Sequence, residues 1–104
     1  MLLEQTKLAL HISNSVFDQQ ILDLIAAGIA DLRHCGIQFE VVTTTTVEGL
    51  PEDYSIADPL PRQAVITYVR KSMGSPADYD RLAASYDMQK GQMRASMAYS
   101  GLEA

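Results

Sequence analysis

Apolar residues recur at helical spacing in four stretches of the chain, and this pattern predicts a mostly α-helical fold in one domain. The predicted helices cover residues 2–10, 16–35, 59–73 and 76–99. The apolar positions of the second helix are Phe17, Ile21, Leu24, Ile25, Gly28 and Leu32. Gly28 weakens a helix interior by about 1 kcal/mol relative to alanine. It therefore indicates either a close helix contact or a tolerated defect.

Helix-start signals precede three of these helices. Ser15 is the predicted N-cap of the second helix. Asp58 and Ser75 are the predicted N-caps of the third and fourth. Pro59 and Pro76 follow them at the first helical position, where the missing N–H costs nothing. The sequence thus predicts a capped helix pair from residue 58 to residue 99.

Residues 37–56 have a different pattern, which predicts an extended segment or a short β insert. The run from Val42 to Val47 is β-branched throughout. A lone strand leaves its backbone groups unpaired, so it needs a partner strand in this chain or in a neighbour. We expect strand addition to a neighbouring chain. The candidate intersubunit strand consists of Val41, Val42, Thr43, Thr44 and Thr45.

Charge is unevenly distributed along the chain, whose formal net charge is -5. Residues 1–58 carry nine acidic and two basic side chains, whereas residues 59–104 carry four acidic and six basic ones. The two halves either attract each other, within one chain or between neighbours, or form two solvated faces of different sign. The acidity argues against tight binding to phosphate backbones, which needs clustered lysine and arginine.

The sequence contains no pattern that predicts catalysis, a metal site or a cofactor. Cys35 is the only cysteine, so an intrachain disulfide is impossible, which fits a reducing compartment. His34 and Cys35 are neighbours, but the further ligands that a metal site needs are absent around them. Glu52 and Asp53 are expected to point into solvent from a loop. We therefore expect a protein that is not an enzyme. The sequence also lacks an apolar run that approaches the roughly 18 residues of a membrane span.

Methionines are concentrated towards the end of the chain, where they serve either core packing or an adaptable interface. Two of them follow Gly91, where the last helix could leave the core. The candidate partner interface consists of Met93, Arg94, Met97 and Tyr99.

Three segments of the chain resemble the head–tail connector (adaptor) proteins of tailed bacteriophages, which form a ring beneath the portal. The resemblance covers most of the chain except residues 37–56. The segments are Leu2–Leu10 with Ile12–Ser15 and the helix through Leu32; Asp58–Leu60 with Ala64–Lys71 and Gly74; and Asp80–Leu82 with Ser85–Asp87 and Lys90.

The resemblance implies an all-helical fold, no catalysis and a homo-oligomeric ring of about a dozen copies. It implies a portal protein on one side and a stopper or tail-completion protein on the other. Double-stranded DNA would pass through the channel without specific binding. The expected location is the head–tail junction of the virion, reached from the host cytoplasm during assembly.

Because DNA must slide through such a channel, we expect the acidic first half to face the lumen or the tail. The more basic second half is then expected to dock on the portal. The alternative is a small phage DNA-packaging or DNA-binding factor with a helix-turn-helix at residues 58–96.

Overall fold

Four helices and one small antiparallel sheet make up the computed structural model, which describes residues 2–44, 53–74 and 76–95. The mostly helical fold predicted from the sequence is confirmed. In chain order the elements are α1 (Leu2–Leu10), α2 (Asp18–His34), β1 (Val42–Thr44), β2 (Asp53–Ser55), α3 (Pro59–Met73) and α4 (Pro76–Ala95).

The hydrophobic core lies between α2 and α3, with α1 and α4 packed against them. Helix α2 buries residues at steps of three and four and so presents one apolar face, whereas α3 buries the consecutive residues 64–67 because α1, α2 and α4 all pack against it. The buried apolar residues of the core cluster are Leu2, Ile21, Leu22, Ile25, Ile29, Leu32, Ile37, Ile56, Ala64, Val65, Ile66, Val69, Tyr86 and Met93.

Gly28 lies where α2 is in close contact with Tyr68 of α3. A Cβ atom at this position would lie 3.1 Å from Cδ1 of the Tyr68 ring and 3.3 Å from its Cγ. The glycine therefore makes room for the tyrosine. Of the two interpretations that the sequence leaves open, the close helix contact is the one that the structure supports.

The start of α2 differs from the prediction of a helix from residue 16 with Ser15 as its cap. The helix begins at Asp18, and its N-cap, Phe17, makes no side-chain capping bond. Residues before it form a turn, in which Asn14 Oδ1 accepts from the N–H of Val16 at 3.1 Å. The Ser15 carbonyl accepts from the Asp18 N–H at 3.2 Å. Ser15 is thus a turn residue, because its backbone closes the turn before the helix starts.

The start of α3 follows its sequence signal. Asp58 is the N-cap, and its Oδ1 accepts from the N–H of Leu60 at 3.2 Å, with Pro59 as the first helical residue. The fourth helix starts at Pro76, whereas Ser75, its predicted cap, lies outside the described residues. At the end of α2, Gly36 has a φ of 88°, the left-handed conformation that favours glycine.

The partner of the predicted strand lies within the same chain. Strands β1 and β2 pair antiparallel, with Val42 opposite Ser55 and Thr43 opposite Tyr54. Of the two possible partners, a strand of this chain is the one that the structure shows, and strand addition from a neighbouring chain stays a prediction; Thr45 itself is not among the described residues. A strand from a neighbouring subunit would pair with the edge of β1 that faces away from β2.

The small sheet is attached to α1 by Asp53, which the sequence predicts to point into solvent. That prediction is wrong, because Asp53 is only 4% exposed. Its Oδ1 accepts from the N–H of Leu3 at 3.2 Å and from the N–H of Tyr54 at 2.6 Å. A strand residue therefore supplies a carboxylate to the first turn of α1, where the helix dipole favours a negative charge.

Candidate assembly surfaces

Large apolar side chains are exposed at a few places in the described part of the chain. Three of them lie where α1 turns into α2 and are here called the α1–α2 corner: Leu8 (76% exposed), Val16 (76%) and Phe17 (42%). Others lie on α4, where Met88 is 67% exposed, and singly on β1 and α3. Exposed apolar groups in one region of a small protein are typical of a protein contact surface.

A shielded ion pair holds the α1–α2 corner together. The Lys7 ammonium lies 2.8 Å from Asp18 Oδ1, and the two side chains are 16% and 12% exposed. Among the described residues this oxygen has no well-directed hydrogen-bond donor, so the ion pair is what satisfies it. The periodicity of the sequence places Asp18 off the buried stripe of α2. The helix end is nevertheless buried, because α1 folds back over it.

A shallow depression of about 250 Å³ lies beside the corner. It is lined by Glu4, Lys7, Leu8 and Ile12. Glu4 and Leu8 are one helical turn apart on the outer face of α1, and both are exposed. The corner thus combines apolar side chains with one exposed carboxylate.

A cluster of tyrosines and lysines fixes α4 to the helices beneath it. The Tyr68 and Tyr86 rings meet edge to face, with their centroids 5.5 Å apart. The Lys71 ammonium lies 4.7 Å from the Tyr68 ring centroid and 5.5 Å from that of Tyr86. Lys90 lies 4.6 Å from the Tyr86 ring on its own helix. These contacts are cation–π interactions, so both lysines are already engaged within the chain.

Tyr86 also carries a hydrogen bond that the sequence did not predict. Its hydroxyl donates to Asp31 Oδ2 on α2 at 2.5 Å, and the Lys90 ammonium lies 3.7 Å from the same oxygen. Burial, followed by the hydrogen bond to the Asp31 carboxylate, raises the pKa of Tyr86 far above its usual range. The phenol therefore stays protonated and continues to donate at physiological pH.

The basic side chains of the second half offer less free charge than their number suggests. Arg62 points its guanidinium towards the backbone carbonyls of Ile56 and Ala57, at 3.5 and 3.4 Å. Lys71 and Lys90 lie against tyrosine rings. Of the six basic side chains in residues 59–104, Arg81 and Arg94 are the exposed ones. A basic docking surface on this half would therefore be small.

The candidate partner interface at the end of the chain needs a correction. Met93 is 1% exposed and belongs to the core cluster, because α4 continues through Gly91 without leaving the core. Arg94 is exposed. Met97 and Tyr99 lie outside the described residues. Of the four candidate positions, Arg94 alone is both described and accessible.

The side of α4 that faces away from the core carries small residues at steps of three and four. Core contacts on this helix come from Leu82, Tyr86 and Met93. The opposite positions are all exposed, and they are here called the outer face of α4: Ala77, Arg81, Ala84, Met88, Gly91 and Ala95. A Cβ atom at Gly91 would have no neighbour within 4 Å among the described residues.

A second, larger depression of about 540 Å³ lies between α2 and β2, lined by Ala26, Ile29, Ala30, Arg33, His34 and Tyr54. Its mouth is wide and open to solvent. Arg33 lies over the Phe39 ring at 5.4 Å and donates to the Phe39 carbonyl at 3.4 Å. Within residues 2–44, 53–74 and 76–95, no group of three or more His, Cys, Asp or Glu residues is placed to hold a metal ion.

None of the helices in the described residues is long and apolar enough to cross a membrane.

A protein-family model described as phage connector protein matches residues 2–103. No curated protein and no solved structure matches the chain.

Proposed function

The chain belongs to the phage connector protein family, and from this premise we propose that it is a subunit of the ring that joins the portal of a tailed phage to a stopper or tail protein. The family is one of structural proteins, and it implies a place in the virion. The observation that carries the proposal is the match itself, which spans the chain from residue 2 to residue 103.

The surface charge supports a position around a channel through which DNA slides. Asp23 and Glu40 are exposed in the first half of the chain, whereas three of the six basic side chains of the second half (Arg62, Lys71 and Lys90) are engaged with tyrosine rings or carbonyls. A surface of this kind does not grip phosphates, because phosphate binding requires clustered, accessible lysine and arginine. An acidic lumen is therefore part of the proposal, with the portal contacting the α3–α4 side of the subunit.

The rival function, a small DNA-binding factor, would need an exposed recognition helix. Helix α3 is poorly suited to that role, because Ala64, Val65, Ile66, Thr67 and Val69 are all buried in it. We expect no shift of a double-stranded DNA fragment by the purified chain in a gel-shift assay at moderate salt. A shift that weakens steeply with added salt would favour the rival function.

The assembly role itself is tested in phage particles. Particles made without the chain are expected to be DNA-filled heads that lack tails, and tails should attach when the purified chain is added. Electron microscopy of restored particles should show the chain at the neck, between portal and tail. Tailed particles that form in its absence, or a location inside the capsid, would contradict the proposal.

The outer edge of β1 remains a candidate for pairing between subunits. A two-stranded sheet is marginal on its own, and an added strand from a neighbouring copy would complete it. Deleting residues 42–50 should then impair both ring formation and binding to the partner proteins. Unchanged assembly after this deletion would rule out the strand contact and leave the ring proposal intact.

A further inference from the structure

We infer that the outer face of α4 in one copy packs against the α1–α2 corner of the next copy. The inference rests on the proposed ring, because a ring is built from heterologous contacts in which each subunit offers two different, complementary surfaces. The occupant of each surface is therefore a second copy of this chain.

The two surfaces are complementary in size. The corner presents the large side chains of Leu8, Val16 and Phe17, each at least 42% exposed. The outer face of α4 presents alanine and glycine at Ala84 and Gly91, one turn on either side of Met88. Large side chains from one element fit the spaces left by small residues on a facing helix, as in knobs-into-holes packing.

Gly91 supports a contact at this face by comparison with Gly28. Each glycine lies in a helix interior, where it costs about 1 kcal/mol relative to alanine. Gly28 has a reason within the chain, because a Cβ atom there would lie 3.1 Å from the Tyr68 ring, whereas a Cβ atom at Gly91 would have no described residue within 4 Å. A neighbouring copy that packs against α4 at Gly91 explains why a glycine occupies this position.

The surfaces also differ in the sign of their exposed charge. Arg81 lies on the outer face of α4, where its 3.4 Å contact with Asp78 joins two side chains that are 65% and 53% exposed. Such an exposed pair is weak and readily exchanged. Glu4 lies beside Leu8 at the corner. We therefore expect Arg81 of one copy to approach Glu4 of the next.

Two blocking variants test the contact in the whole chain. Leu8→Glu places a charge in the corner, and Ala84→Glu places one in the outer face of α4. Gln63→Glu is the matched control, because it adds the same charge at an exposed position of α3. Circular dichroism checks that each variant keeps the helical content of wild type, and sedimentation velocity over a wide concentration range measures self-association.

We expect wild type and the Gln63→Glu control to self-associate, and each blocking variant to stay monomeric where wild type forms oligomers. An equimolar mixture of Leu8→Glu and Ala84→Glu should form a dimer and stop there, because each variant retains one intact surface of the opposite kind. Ring growth needs both surfaces on every chain, so the mixture distinguishes a head-to-tail contact from a symmetric one.

A charge exchange provides a second test. Glu4→Arg and Arg81→Glu should each weaken self-association, by about fivefold, and the two together in one chain should restore it. The inference is overturned if wild type stays monomeric throughout, if the blocking variants associate like wild type, or if their mixture stays monomeric. The proposed function is decided separately, by the location of the chain in tailed particles.

Discussion

Replacing Asp53 by alanine should destabilise the protein far more than the loss of an ordinary surface acid. In the sequence this residue belongs to an acidic loop, but in the structure it is 4% exposed and its Oδ1 accepts two backbone hydrogen bonds. One donor is the N–H of Leu3 in the first turn of α1. The other is the N–H of Tyr54, next to Asp53 on β2.

The expected loss can be estimated from these two bonds. Removing a side chain that caps a helix N-terminus costs typically about 1 kcal/mol, and the lost negative charge adds about 0.3–1 kcal/mol. The bond to Tyr54 contributes about 1 kcal/mol more. We therefore expect Asp53→Ala to lower the free energy of unfolding by about 2–3 kcal/mol. Asp53→Asn keeps an oxygen acceptor and should lose only the charge contribution, about 0.3–1 kcal/mol.

Thermal and chemical unfolding followed by circular dichroism measure these differences. For a domain of this size, 1 kcal/mol shifts Tm by about 4–8 °C. Glu40→Ala is the matched control, because Glu40 is an exposed acid. Hydrogen exchange adds a local readout, since the amides of the first turn of α1 should lose protection in Asp53→Ala. An Asp53→Ala protein that unfolds like the Glu40→Ala control would refute the capping role.

Further predictions concern the two helix glycines, Gly28 and Gly91, and the hydroxyl of Tyr86. Gly28→Leu should destabilise the chain by about 1–3 kcal/mol in urea unfolding, because the added side chain collides with the Tyr68 ring. Gly91→Ala, whose added Cβ atom has no described residue within 4 Å, should instead stabilise it by up to about 1 kcal/mol; equal effects at both glycines would contradict the packing argument. Tyr86→Phe should cost about 1–2 kcal/mol at neutral pH, because it removes the hydrogen bond to Asp31. Since the pKa of Tyr86 is raised on folding, its contribution is complete below about pH 10 and declines above it, so the gap between wild type and Tyr86→Phe should narrow as pH rises further. A gap independent of pH would be evidence against this coupling.

Local signals in the sequence determined the helices of this protein. Periodic apolar residues placed the four helices that the structure describes, and Asp58 with Pro59 marked the start of α3. A close helix contact was one of the two interpretations of Gly28, and the structure supports it. Such signals are reliable because a cap, a proline or a helical period acts over a few neighbouring residues.

Contacts between distant residues were decided only by the tertiary structure. Asp53 is 50 residues from Leu3, and Tyr86 is 55 residues from Asp31, so nothing in their local sequence reveals either hydrogen bond. Met93 was expected at an interface because Gly91 interrupts the helical pattern, but packing against the core keeps α4 helical through that glycine. Local propensity is a weak preference that tertiary burial overrides.

The same distinction applies to the assembly surfaces. Composition predicted an acidic and a basic half, but it could not show that Lys71 and Lys90 are held over tyrosine rings and are poor candidates for a partner. The helical spacing of Leu82, Tyr86 and Met93 already marks one apolar side of α4. Only the packing of α4 on α2 and α3 shows that this side lies against the core and that the opposite side is exposed.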